Sequence, residues 1–278
     1  MATSSDNTCE VSLSPEIIRK ALKTKWLGQQ AIYSFNVVES TNTEASTLAR
    51  NGAAEGTVVL AETQIRGRGR LGRSWISPPG AGLYFSVILR PESPSQWASL
   101  LTLTAGVAVV VAIRQAGISA ELKWPNDIMI GNRKAGGILT EAIFREKSVS
   151  TAIVGIGINV NTGTEDFPPS IGGRATSIYL SSGKLISRVA LFQALLYQLE
   201  QWYELFQKGS HEMILKVWRE YDTTLGNLVE VCLPESTVSG VAEDVNSIGQ
   251  LLVRDQTGRL HTIIAGDVVH CHHLGGNK

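Results

Sequence analysis

Gly67-Arg68-Gly69-Arg70-Leu71-Gly72-Arg73-Ser74-Trp75 follows a run of β-branched and apolar residues, Thr57–Gln64, and formally matches the G-x-G-x-x-G of dinucleotide-binding folds. That motif needs its last glycine to open a helix whose N-terminus meets a pyrophosphate. Here Arg73-Ser74-Trp75-Ile76-Ser77-Pro78-Pro79-Gly80 follows, and its adjacent prolines exclude a long helix. Glu92 lies at the distance of a ribose-binding acid, but no crossover helix precedes its strand. A Walker loop fails as well, because no Gly-Lys-Ser/Thr follows. What remains is an arginine loop: Arg66, Arg68, Arg70 and Arg73, interleaved with glycines.

Close guanidiniums repel one another, and the glycines between them weaken local order. Such a loop is expected to be poorly ordered alone and to settle around a polyanion. Arginine supplies planar bidentate donors for phosphate or carboxylate, each bond contributing roughly 1.5–3 kcal/mol where water is excluded. The loop reads as a ligand clamp; the alternative is a solvated basic loop or an RNA-binding Arg-Gly segment.

The clamp sits in a neutral chain. Among 278 residues, 25 Lys+Arg balance 25 Asp+Glu, for a net charge of +0. That balance excludes a protein that holds nucleic acid or an anionic membrane by bulk charge. Between Thr63 and Pro91, however, stand five arginines, Arg90 included, and no acid. Hydrophobic residues at 43% and charged residues at 18% specify a buried core. Cys9, Cys232 and Cys271 are too few and too scattered for a disulfide framework or a Cys-x-x-Cys knuckle. Met1–Glu10 has neither the basic start nor the apolar stretch of a leader, so a reducing cytoplasm is the expected compartment.

Outward from the loop, the elements alternate without a crossover pattern. Ser14 as N-cap, Pro15 and Glu16 open a helix expected to end at Gly28, too short for a DNA-reading helix-turn-helix. Tyr33–Val38 reads as a strand, and Ser40-Thr41-Asn42 begins a helix running to Gly52. Gly82–Arg90 is a further strand. Ser93–Ile113 carries no charge, but its apolar part is shorter than the ~20 residues of a membrane span; a helix from Ser95 to Gln115, buried on most faces and ended by Gly117, is expected. Glu121–Trp124 stops at Pro125, Gly131-Asn132 signals a hairpin between Ile128–Ile130 and Lys134–Ala142, and Val149–Asn159 is another strand. Amphipathic helices follow at Val189–Gln207, capped by Ser187, and Met213–Tyr221. From Gly226 onward only short strands appear: Leu228–Leu233, Val238–Val245, Gln250–Arg254 and Leu260–Ala265. The fold class is therefore α+β, a mixed and largely antiparallel sheet flanked by helices, with a small C-terminal β-barrel. The expected divisions are a helical extension at 1–28, a catalytic domain at 29–224 and the barrel at 225–278.

Ala61-Glu62-Thr63-Gln64 with the arginine loop and Trp75 resembles the biotin-loop signature of the biotin–protein ligases. Glu39-Ser40-Thr41-Asn42 resembles the family's Ser-Thr-Asn turn, and Lys123-Trp124-Pro125-Asn126-Asp127 its Lys-Trp-Pro-Asn-Asp block. Arg133-Lys134-Ala135-Gly136-Gly137-Ile138-Leu139 resembles the strand bearing its essential lysine, and Gly155-Ile156-Gly157-Ile158-Asn159 its Gly-x-Gly-Ile-Asn strand. The five blocks keep the family's order over residues 30–270. The resemblance implies a class II synthetase-like catalytic domain with an SH3-like barrel. It implies attack of the biotin carboxylate on the α-phosphate of ATP, with Mg²⁺, and then transfer to a lysine of a biotin carboxyl carrier domain of acetyl-CoA carboxylase. Lipoate–protein ligases share that fold, and a non-catalytic biotin sensor is a further alternative. About thirty residues precede the core, so a member without a DNA-binding winged helix is expected, and no nucleic-acid or membrane partner. The resemblance admits a homodimer paired through a sheet edge.

Residue by residue, the resemblance assigns catalysis to Lys134, Arg70 and Asp127. It assigns biotin to Ser40, Thr41, Asn42, Gln64, Arg68, Gly69, Arg70 and Lys134. It assigns ATP to Arg70, Arg73, Trp75, Lys123, Asn126, Asp127, Lys134 and Asn159, and no resident metal. Plainer readings stand beside these. Ser40, Thr41 and Asn42 serve as N-caps, and Asn126 and Asp127 form an Asx turn. Trp75 is a core anchor instead of a stacking partner, and Lys134 an exposed hairpin lysine. Gly155 and Gly157 suit a close backbone approach to ligand. His270-Cys271-His272-His273 is too contiguous for a closed tetrahedral metal site.

Overall fold

The computed structural model describes residues 13–91, 93–145, 148–171, 173–233 and 236–270. Cys9, Glu92 and the cluster from Cys271 onward lie outside the described residues. The elements run α1 (Pro15–Arg19), β1 (Ile32–Val38), α2 (Thr41–Arg50), β2 (Val58–Gln64), β3 (Gly82–Leu89), β4 (Ser93–Pro94), α3 (Ala98–Gln115), β5 (Ala120–Lys123), β6 (Asp127–Ile130), β7 (Arg133–Arg145) and β8 (Ser148–Asn159). They continue with α4 (Ile178–Ser182), α5 (Arg188–Gln207), α6 (His211–Tyr221), β9 (Leu228–Cys232), β10 (Thr237–Val245), β11 (Leu251–Arg254), β12 (Leu260–Ile263) and β13 (Asp267–His270).

The large sheet has 8 strands in the order β1-β2-β3-β8-β7-β6-β5, with β4 on β8. β1 and β2 pair parallel, and every other pair in it is antiparallel. The expected mixed, largely antiparallel sheet is what forms, and Gly131, at φ +56°, turns the β6–β7 hairpin. β3 is buried along its whole length, which is why Gly82–Leu89 shows no polar alternation. One face carries the main core, where α3 and α5 pack. The other is covered by α2 through Ala45, Ala49, Val59, Ile88 and Ile153. Contrary to the expectation that its apolar part is too short, the helical segment Ser95–Gln115 is long and apolar enough to cross a membrane by length and composition. In the fold it is the central helix instead, with Leu100, Val107, Val110 and Ile113 fully buried.

The first helix is shorter than the expected Ser14–Gly28. Ser14 caps it, accepting from the Ile17 amide at 3.4 Å, but the helix ends at Arg19. Farther along, a buried carboxylate holds the chain in a different conformation. Glu200 of α5 accepts the backbone N–H groups of Lys25, Trp26 and Leu27 at 2.8–3.0 Å. Those donors, captured from outside, hold 25–27 as turns against α5.

The C-terminal sheet has five antiparallel strands in the order β12-β11-β10-β9-β13. Sequence patterning yields four of them. The fifth, β13, pairs with β9 and turns toward the arginine loop. Asp222, at the end of α6, bridges to Leu122 of β5, and its Oδ2 accepts the Thr224 and Leu225 amides, each at 2.7 Å. Its Oδ1 is buried with no donor among the described residues. Burial pushes the Asp222 carboxyl up to about 6, against the opposing backbone hydrogen bonds. A carboxyl raised on folding stabilises the fold fully below its unfolded value, and that contribution is lost as pH rises through about 6. Ionisation near neutral pH then costs on the order of 3 kcal/mol. Asp222→Asn is expected to raise Tm at about pH 8 and to leave it nearly unchanged at about pH 4. Equal shifts at both pH values would contradict this.

Candidate active site

Thr41, the first residue of α2, donates from its backbone N–H to Gln64 Oε1 at 2.9 Å and from its hydroxyl to the same oxygen at 3.1 Å. Beneath them Ser86 Oγ, on β3, bonds Thr41 Oγ1 at 2.8 Å and Asn42 Oδ1 at 2.6 Å. Asn42 Nδ2 continues to the Leu139 carbonyl at 3.2 Å and to Glu141 at 2.7 Å. Ser40 stands at the N-cap without a side-chain cap bond. Ser40, Thr41 and Asn42 are all buried. The turn is therefore a polar floor tied to β2, β3 and β7, and not a surface cap.

Two glycines make that floor possible. A Cβ on Gly155 would land on the Asn42 amide, 2.8 Å from its Cγ, and a Cβ on Gly157 would lie 2.6 Å from the Trp75 ring. The close approach expected at these glycines is made by protein side chains. Trp75 settles between its two plain readings as a half-buried wall lying over β8. Its indole Nε1 is buried with no acceptor among the described residues.

Cations line the same cavity as this floor. Lys134, on β7, has Nζ 2.5 Å from Asp127 Oδ1 and 5.9 Å from the Trp75 ring centroid. Its backbone is covered by the segment 174–176, through bonds from Lys134 N to Arg174 O at 2.9 Å and from Thr176 N to Lys134 O at 2.8 Å. Lys134 is thus not a free hairpin lysine. Asn126 donates to the Ile138 carbonyl at 2.6 Å, which bolts it to β7. Arg70 reaches Asn126 Oδ1 and the Gly266 carbonyl, both at 3.3 Å. Burial pulls the Arg70 and Lys123 charges below their ordinary values, with Asp127 and Asp267 opposing the pull. Partly desolvated cations gain most from an arriving anion.

The arginine loop is pinned at several points. Arg66 pairs with Glu39 at 3.0 Å, Arg68 with Glu141 at 2.8 Å, and Arg73 with Asp267 of β13. Leu71 at its tip has φ +53°, a left-handed conformation that costs a leucine roughly 1 kcal/mol. The repulsion read from the sequence is relieved by a carboxylate on each wall.

One cavity of about 650 Å³ is lined both by Ser40, Thr41, Asn42 and Gln64 and by Arg73, Trp75, Lys123, Asp127 and Lys134. Arg68, Gly69, Arg70 and Asn126 also line it. Asn159 does not: it is buried, donating to the Thr176 carbonyl at 3.0 Å, and it holds the segment that covers Lys134. Four site residues escape sequence reading. Ser86 was detectable as a polar residue in an apolar strand. Glu141, Arg174 and Asp267 carry no local signal, since their place depends on how distant strands pack.

A model of the biotin/lipoate A/B protein ligase family matches residues 34–159, and one of the biotin protein ligase C-terminal domain matches residues 224–271. The bifunctional ligase/repressor BirA of Bacillus subtilis is 40% identical over 92% of this chain and 78% of its own length. The biotin–[acetyl-CoA-carboxylase] ligase of Mycobacterium tuberculosis is 33% identical over 93% of this chain and 97% of its own. The Aquifex aeolicus biotin protein ligase in complex with biotin and ATP superposes with a TM-score of 0.73 at 30% identity, covering 86% of this chain and 98% of that one.

Proposed function

Since the chain belongs to the biotin/lipoate A/B protein ligase family, we propose that its cleft joins biotin to ATP as biotinyl-5′-AMP and then passes biotin to a lysine of a carboxyl carrier domain. The observation that carries this reading is the pairing in one cavity of a polar floor at Thr41, Asn42 and Gln64 with partly desolvated cations at Arg70 and Lys123. A neutral heterocycle suits the floor, and a carboxylate with a triphosphate suits the cations. The solved relative that holds both biotin and ATP supports the pair of substrates. The names of the mycobacterial and Paracoccus denitrificans relatives support a carrier domain of acetyl-CoA carboxylase as acceptor.

In the first step a biotin carboxylate oxygen forms a bond to the α-phosphorus, and the bond to the bridging oxygen breaks as pyrophosphate leaves. Two anions must meet, so positioning and charge stabilisation dominate. Lys134 leaves Asp127 for the carboxylate and α-phosphate; Arg70 and Lys123 neutralise the rest, and Arg73 reaches the triphosphate. Ser40, Thr41, Asn42 and Gln64 hold the ureido ring under Arg68 and Gly69. Trp75 lies beside the nucleotide, and Asn126 fixes Arg70. In the second step the acceptor amine attacks the acyl carbon, AMP departs, and Asp127, freed of Lys134, accepts the amine proton.

Mg²⁺ would enter as part of the nucleotide substrate and would supply charge neutralisation at the phosphates. Such an ion needs one or two protein carboxylates when phosphates supply the rest. Asp127 and Asp267, both lining the cleft, fit that need. Among the described residues no group of three or more His, Cys, Asp or Glu fits a resident metal. The catalytic unit is taken as 29–224, after an extension at 1–28 and before a C-terminal domain at 225–278; the change of sheet between α6 and β9 supports the second boundary.

The test is incubation with ATP, Mg²⁺, biotin and a carrier domain, with lipoate in parallel. Biotin-dependent AMP and a biotinylated carrier lysine are expected. Transfer of lipoate in place of biotin would favour the related activity and overturn this one.

A further inference from the structure

Glu141 stands on β7 beside the floor, and one of its oxygens does two jobs. Oε2 accepts from Asn42 Nδ2 at 2.7 Å and from Arg68 NH2 at 2.8 Å. Asn42 is itself buried and held from below by Ser86 at 2.6 Å. A hydrogen-bonded chain thus runs from Ser86 in the sheet through Asn42 and Glu141 to Arg68 on the loop.

The Arg66–Glu39 pair on the same loop shows what an ordinary surface pair looks like, with side chains 78% and 57% exposed. Such pairs contribute little, because two long side chains must be immobilised in water. Arg68 and Glu141 are 43% and 39% exposed, and Asn42 already holds the Glu141 carboxylate in place. The entropy that weakens a surface pair is therefore largely spent before Arg68 arrives. Position adds a second argument. Arg68 lines the main cavity, and both Arg68 and Glu141 line a neighbouring cavity of about 630 Å³. The pair stands where the loop divides the two.

We propose that Glu141 is a positioning residue for the ligase reaction: it locks Arg68, and with it the arginine loop, onto the Asn42 turn, so that the acyl-adenylate is retained between the two half-reactions. The inference rests on the biotin-ligase reading. It assigns Glu141 no contact with substrate. Its charge acts through Arg68, and its loss opens the wall toward the neighbouring cavity.

The test measures release of pre-formed biotinyl-5′-AMP from wild type, Glu141→Gln, Arg68→Ala and the double variant, by chasing the bound adenylate with excess unlabelled biotin and ATP. Gln keeps the shape and an acceptor for Asn42 but removes the charge. Release from Glu141→Gln is expected to be about threefold to tenfold faster, with acceptor-free AMP production rising in parallel. The single-turnover rate of adenylate formation at saturating biotin and ATP should stay within about twofold of wild type. A merely structural role would move both rates and lower Tm together. The double variant should release no faster than Arg68→Ala alone, since both changes cut the same link. Wild-type release from Glu141→Gln, or effects of the two changes that multiply, would overturn the proposal. If wild type itself forms no adenylate, it is the biotin-ligase reading that fails.

Discussion

Lys134→Ala is expected to lower the rate of biotinyl-adenylate formation about a hundredfold to a thousandfold, the range for deleting one preorganised charge donor at a reacting centre. The loss has two parts. On the proposed mechanism, the Lys134 charge would no longer bridge the carboxylate and the α-phosphate. Asp127, now without the ammonium 2.5 Å away, adds a negative charge where two anions must approach. Folding should be little affected, because the Lys134 side chain is 37% exposed and such pairs contribute at most about 1 kcal/mol. Stopped-flow or quench measurement of the first half-reaction beside a thermal melt separates the two effects. A variant that forms adenylate at the wild-type rate would remove Lys134 from the mechanism.

Gly155→Ala is expected to weaken biotin binding by about tenfold or more while leaving a folded protein. The new methyl would occupy the place of the Asn42 amide, whose Cγ would lie 2.8 Å away. Asn42 must then swing out and break its bonds to Ser86, Leu139 and Glu141, and a buried amide without partners costs about 1–3 kcal/mol. Gly157→Ala meets Trp75 instead, at 2.6 Å. It should raise the KM for ATP more than that for biotin. Calorimetric titration of biotin, with KM values for both substrates, reads this split. Unchanged biotin affinity in Gly155→Ala would show that Asn42 does not shape the biotin end of the cleft.

Local sequence carried the fold class and most of the lining residues because the chemistry there is dense in short stretches. The arginine loop, the Ser40–Asn42 turn and the Lys123–Asp127 block each gather several polar groups in a few residues, and each lines the same cavity. Three things were hidden. The carboxylates of Glu141 and Asp267 pair with loop arginines 73 and 194 positions away, and no local pattern encodes such a meeting. The non-helical course of residues 25–27, where a helix was expected, is held by Glu200, far along the chain. Asn159 looked like a ligand residue on its strand, yet its amide serves the backbone at Thr176. A polar side chain at the end of an apolar strand can serve a ligand or a neighbouring segment, and only packing decides between them.

The most direct test of the central claim is the acceptor-free reaction. The wild-type chain is mixed with biotin, Mg²⁺ and ATP labelled on the α-phosphate, then quenched and resolved. The cleft described here predicts a biotin-dependent burst of labelled biotinyl-5′-AMP, stoichiometric with the chain and discharged when a carrier domain is added. Label that stays in ATP whether or not biotin is present would contradict it.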